Sequence, residues 1–313
     1  MNICSNQIKE VILHRFKVNS LQKLLIHINI LLAFSVLFCS HSAYGQSVEI
    51  TVPPLDPMVV DMGFTDVYWS KRNLGAEQST DENNVGNYYK SDAIMVKDDF
   101  VSTLPSSYSS LSYWRVPTKK EIETLVDKTQ VTISYYNNNS RKGIEIASKV
   151  NNNKIFIPIS NLQDYPVGNT GIYPNSAFFW SCTKARGIEM VWVFRGYDST
   201  PKAVKWTRLY RLPIRPVINK CKITVKIYED NVKQNELIEY VPQGTTIALT
   251  ANGACYNVNW VGDNLNSNNI TISRQIYQSE TITAYFSTKT TDIVATTEDD
   301  QKGTVGILEP INN

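Results

Sequence analysis

Histidine is scarce in this chain of 313 residues: there are three, His14, His27 and His41, all near the start. Everything after residue 45 lacks an imidazole. That excludes Ser-His and Cys-His nucleophilic catalysis there and removes the commonest zinc ligand. Chemistry that needs only two carboxylates, as in glycoside hydrolysis, is untouched by this absence. Cysteine is also sparse. Cys182, Cys221 and Cys255 are the three past residue 45, and an odd number in an oxidising compartment allows at most one internal bridge plus one thiol. Cys221 and Cys255 share one strand-rich segment and are the expected pair, while Cys182, in FFWSCT, reads as a small buried apolar residue. A surplus of charge is missing as well. Segment 1–45 holds four of the 31 basic residues and one of the 29 acidic ones, leaving 27 against 28. No basic patch argues for nucleic acid or anionic lipid.

What is present begins with an export pattern. Lys9, Arg15, Lys17 and Lys23 lead into the apolar run LLIHINILLAFSVLFC, and Ala43-Tyr44-Gly45 has the small-x-small form of a cleavage site. Residues 1–45 are thus expected to be a signal peptide, with Gln46 starting an exported chain that is extracellular, on the cell surface or periplasmic. The run is short for a spanning helix, and Phe38 before Cys39 fits poorly with a lipidation site. Contact with a membrane is expected only through this leader.

A Pro-containing lead (46–58) precedes a segment (59–218) in which short apolar or aromatic runs, VYWS, KIFIPI, AFFWSC and EMVWVF, alternate with Gly, Asn, Ser and Pro clusters. This predicts a mostly antiparallel sheet with few helices. One helix is clearly signalled, over 117–128. Arg115-Val-Pro-Thr breaks a strand-like start, because Pro117 cannot extend a ladder. Thr118 and Glu121 then form a capping box, and Ile122, Leu125 and Val126 share one side. GIEIASKV and KIFIPI, separated by Asn151 to Asn153, predict a hairpin. From Cys221 the pattern becomes period-two alternation, ITVKIY, TIALTA, VNWVG, ITI and TITAYF, which predicts an all-β sandwich over 219–287. A tail (288–313) ending in TVGILEP is expected to be flexible at first and able to add a strand to a neighbour.

The order VDMGFTDVYWSKRNLGA, VGNYY, YWRVPTKKEIETL, KIFIPIS, FFWSCT and RLPIRPV resembles a domain of Bacteroidetes and Fibrobacter surface proteins. That domain is distantly related to formylglycine-generating enzyme and has a C-type-lectin-like fold. The resemblance covers 60–217 and implies an α+β C-type-lectin-like domain in which RLPIRPV closes beside the first strand. It also implies that Arg115, Arg211 and Arg215 lock the core through carbonyls or carboxylates. The oxidase activity does not carry over, since the enzyme's cysteine pair is missing. The loop triplets of calcium lectins are missing too, so neither a metal nor a cofactor is expected. VPQGTTIALTANGACYNVNWVGDN and the strands after it resemble the immunoglobulin-like repeats of Bacteroidetes surface proteins, which implies that Trp260 packs on the sandwich core.

In C-type-lectin-like folds the long loops between the last strands form the recognition surface. Here they are NLQDYPVGNTGIYPNS and RGYDSTPKAVKWTR, which makes Asp164, Tyr165, Tyr173, Asn175, Tyr197, Asp198 and Trp206 the candidate contacts. Aromatic rings beside amides and carboxylates suit sugars or peptides. The expected function is non-enzymatic binding or adhesion to a glycan or to a host or bacterial surface protein. The alternatives are a structural subunit of a fimbria or matrix, assembled through its tail, and a carboxylate-dependent glycosidase.

Overall fold

The computed structural model describes residues 46–91, 112–160, 162–164, 170–173, 175–186, 190–197, 200–253 and 256–288. The expected leader, the tail from 289 onward, Tyr165, Asp198 and Cys255 lie outside them. Strands β1 (Ser47–Thr51), β2 (Val59–Val60), β3 (Val67–Ser70) and β4 (Trp114–Arg115) precede the helix α1 (Lys119–Leu125). Then come β5 (Val131–Asn137), β6 (Lys142–Ser148), β7 (Lys154–Pro158), β8 (Leu162–Asp164), β9 (Thr170–Ile172), β10 (Ala177–Lys184), β11 (Met190–Gly196), β12 (Lys202–Thr207) and β13 (Tyr210–Arg211). The remainder is β14 (Val217–Glu229), β15 (Val232–Pro242), β16 (Thr246–Asn252), β17 (Tyr256–Gly262), β18 (Leu265–Ser267), β19 (Thr271–Gln275) and β20 (Glu280–Thr288). The described chain is mostly antiparallel sheet with one helix, as the sequence pattern predicts.

The helix starts where the local chemistry requires. Trp114 and Arg115 pair with β14, and Pro117 then ends the ladder. The Thr118 hydroxyl accepts the Glu121 N–H at 3.2 Å, and the Glu121 carboxylate accepts the Thr118 N–H at 2.7 Å, which completes the capping box. Arg115 donates both guanidinium arms to that same carboxylate, at 2.9 and 2.5 Å, and two more bonds to the Asn219 side chain. Ile122 and Leu125 are buried beneath α1.

Burial alone would raise the Glu121 carboxyl, but Arg115 and the Thr118 amide outweigh it and hold the group below its ordinary 4.5. Glu145 follows the same pattern, with Arg141 and Lys154 overcoming its burial. Carboxylates with depressed folded values contribute stability that is complete above the unfolded value and is lost as pH falls through the folded one. Urea midpoints measured from pH 7 down to pH 3 are therefore expected to fall below about pH 4.5, and the Glu121→Gln/Glu145→Gln double variant to start lower with a flatter acid limb.

β14 determines the architecture. Its first residues pair with β3 (Val217↔Trp69, Ile218↔Tyr68, Asn219↔Val67), whereas RLPIRPV, expected as one closing strand, has residues 213–216 outside any strand and contributes only Val217 to β14. The same strand then runs on for ten residues, Lys220 to Glu229, against β15. It also pairs in parallel with β20 from Ile223 onward. The expected boundary at 218/219 thus falls inside a continuous strand, and the two units share one sheet.

The C-terminal unit is two-layered, with β15-β14-β20-β17-β18 facing β1-β16-β19. Alternation carries the packing: Ile247, Leu249 and Ala251, then Val258 and Trp260, then Ile282, Ala284 and Phe286 all point into one core. Trp260 is fully buried there and donates its indole N–H to the Asn269 carbonyl at 2.9 Å. The Pro-containing lead holds a strand of this unit, since β1 pairs along all five residues with β16 and its Val48 is buried in the core, with Ile50 and Val52 against it.

Cys221 is a free, buried thiol, contrary to the expected Cys221–Cys255 bridge. The register gives the reason. Tyr256, next to Cys255, lies opposite Thr288, just past Phe286, which is level with Glu229 at the far end of β14. Cys221 is near the other end, on the order of 25 Å away at about 3.3 Å per residue, whereas bridged Cα atoms lie within about 7 Å. Burial, helped by Glu280, pushes the Cys221 thiol up.

In the N-terminal unit the predicted hairpin forms as β6 and β7, with β5 on the far side of β6. α1 packs against β10, β11 and β12. Phe179 and Phe194 stack with centroids 4.5 Å apart. Arg215 is fully buried among these layers and donates to the Ser70 carbonyl at 3.1 Å and the Phe156 carbonyl at 2.8 Å. Arg211 pairs through its backbone with Gln163 in β8.

Candidate functional site

The sheet β10-β11-β12 presents one face to a core of Phe178, Trp180, Val191 and Val193. At the end of that face the apolar pattern stops. Phe178 of β10 lies opposite Arg195 of β11, which lies opposite Lys202 of β12. The Arg195 guanidinium sits 4.9 Å from the Tyr173 ring centroid, 5.6 Å from Trp206 and 6.0 Å from Phe178. Trp206 meets Tyr173 edge-on at 5.2 Å and also contacts Phe178 and Tyr210, at 5.6 and 6.4 Å.

This is a cation held among rings, and the rings fix its plane without using its N–H donors. Arg195 Nε and Trp206 Nε1 are buried with no acceptor among the described residues. Tyr173 is 41% exposed and has a φ of 59°, and Asn175 follows at 69°. A bulky residue in the left-handed region is an outlier, and such strain concentrates at functional sites.

Of the sequence-predicted contacts, the structure brings Tyr173 and Trp206 together. Asn175 is exposed, and its carbonyl accepts the Tyr135 hydroxyl at 3.1 Å. Tyr197 is exposed just past β11, 51% accessible. Asp164 pairs through its backbone with Tyr210. Sequence reasoning missed Arg195, Lys202 and Phe178. The available signal was a cation ending the apolar run VWVF, but which ring and which charge lie opposite it depends on register.

No family model, curated protein or solved structure matches this chain. The surface therefore has to be interpreted from its own chemistry.

Two other arrangements bear on that interpretation. Glu121, Glu145 and Glu280 are the carboxylates most withdrawn from water among the described ion pairs, and each is held by an arginine. Between the two units, Pro53, Pro54, Leu55, Tyr113, Ile218 and Gly244 line a groove of about 250 Å³. Gly244 is required there: its φ is +88°, and a Cβ would lie 2.4 Å from the Tyr113 ring. Among the described residues no helix is long and apolar enough to cross a membrane.

Proposed function

We propose that this chain is an exported, non-enzymatic recognition protein of the cell surface, binding a glycan or a surface protein through the loop end of β10-β11-β12. In this reading the N-terminal unit is C-type-lectin-like and the C-terminal sandwich is an immunoglobulin-like spacer or docking module. The single observation that carries it is the cluster of Tyr173, Trp206 and Phe178 around a guanidinium whose Nε has no acceptor among the described residues. Entry into α1 after RVPT and the pairing of β14 with β3 support the lectin-like part. The arginine-held carboxyls of Glu121 and Glu145, both kept below the ordinary carboxylate value, weigh against a glycosidase, whose general acid needs a raised pKa.

The test is an array of glycans and surface proteins probed with the full chain, with and without calcium. At least one ligand is expected to bind, its signal is expected to be insensitive to calcium, and Tyr173→Ala is expected to weaken it by about tenfold, the scale of a central interface residue. An array with no ligand would remove the reading.

A structural subunit is the second reading, favoured by β15. This eleven-residue strand pairs only with β14 among the described residues and exposes Val232, Ile238 and Tyr240. An open edge of that length is a template for strand addition, which is the role the TVGILEP tail would fill on another copy. Loss of assembly on deleting residues 304–310, with array binding intact, would favour it.

A further inference from the structure

We propose that the Arg195 cluster binds an acidic sugar, with a carboxylate or sulfate seated between Arg195 and Lys202 and the sugar ring laid against Tyr173. This deepens the recognition reading above and rests on it.

Charge placement is the first argument. Arg195 and Lys202 lie directly opposite on adjacent antiparallel strands, where Cβ atoms are about 5 Å apart and like charges repel. None of the ion pairs among the described residues includes either side chain. By contrast, Arg115, Arg141, Lys154, Lys220 and Arg274 each hold a carboxylate. Two facing cations with no acid paired to either among the described residues are an arrangement that an external anion would complete.

Geometry is the second. The three rings orient the Arg195 fork while its Nε has no acceptor among the described residues. A planar guanidinium held in this way matches the paired oxygens of a carboxylate or sulfate. Exposed Tyr173, fixed by its edge contact with Trp206, adds a flat surface beside the fork. A rigid ring-shaped acid suits this better than a flexible acidic side chain, whose ordering on binding costs rotamer entropy.

The test is calorimetric titration of the full chain with four probes: a galacturonic acid tetrasaccharide, an N-sulfated glucosamine-uronate tetrasaccharide, a neutral galactose tetrasaccharide and a tetraglutamate peptide. At least one acidic sugar is expected to bind, and the carboxylate and sulfate arms tell the two anion chemistries apart. Arg195→Gln is expected to weaken that binding at least tenfold, as loss of a charge-assisted bond does. Lys202→Gln is expected to weaken it by roughly three- to fivefold, a smaller change because Lys is a single-point contact, with no fall in melting temperature because a repulsion is relieved. Affinity should also drop as salt rises. Neutral sugar binding as tightly as acidic sugar, or indifference to Arg195→Gln, would overturn the acidic ligand while leaving the recognition surface in place. Equal binding of tetraglutamate would overturn the sugar class. Binding of none of the four probes overturns this proposal alone when the array has a ligand, and falls together with the recognition reading when the array has none.

Discussion

Deleting residues 47–52 is expected to destabilise the C-terminal sandwich by several kcal/mol, although its other strands begin only at Val217. β1 covers one edge of the β1-β16-β19 sheet and sends Val48 into the core, with Ile50 and, just past the strand, Val52 packed against it. Burying a side chain of this kind contributes about 1.5–3 kcal/mol, an upper range for those only partly buried. The deletion also leaves β16 with an unpaired edge. A point variant separates the two effects. Val48→Asp puts a carboxylate into the core and is expected to cost at least about 3 kcal/mol, whereas Glu49→Lys, on the exposed face of the same strand, is expected to change stability by less than about 0.5 kcal/mol. Denaturant unfolding followed through Trp260 fluorescence measures both. Equal midpoints for Val48→Asp and the parent chain would mean that β1 does not hold the sandwich.

Arg215→Ala is expected to cost the N-terminal unit about 3–5 kcal/mol, the sum of two buried acceptors left without a donor and a large-to-small truncation in the core. Burial, with the neighbouring charge of Arg72 adding to it, pushes the Arg215 guanidinium down to about 9. The surrounding layers hold the ion because its arms satisfy the Ser70 and Phe156 carbonyls on two different strands, and truncation would strand both acceptors and open a cavity. Arg215→Lys keeps the charge but reaches one carbonyl at a time. It is expected to lose about 2 kcal/mol, within the range for one buried acceptor left unsatisfied. The contrast identifies the cause. If the lysine variant unfolds at the parent's midpoint, two-strand bridging is not what the residue provides; if the alanine variant does, its buried position carries no stability at all.

Much of this architecture can be read from local chemistry, because local rules act over a few residues. The capping box at Thr118 and Glu121, the hairpin across Asn151 to Asn153 and the alternation from Thr246 to Phe286 all lie within one turn or one strand pair of their signals. What was missed depends on distant partners. SVEIT before a Pro pair looks like a lead until β16 is known to lie beside it. RLPIRPV looks like an ending because nothing within it shows that β14 continues into the next unit. Cys221 and Cys255 share one sequence segment, but strand register places Tyr256 at the far end of the sheet from Cys221. The site divides in the same way: Tyr173 and Trp206 stand out as loop-region aromatics, but the guanidinium between them does not. Arg195 becomes visible only when three strands are aligned and Phe178 and Lys202 are found on either side of it.

The recognition surface can be tested most directly by following the six tryptophan indole N–H signals while adding the strongest binder from the array. The Trp206 signal is expected to move in proportion to occupancy, while those of Trp260 and Trp69, fully buried in two separate cores, stay in place. A ligand that shifts Trp260 and leaves Trp206 unmoved would locate binding on the sandwich and contradict the account.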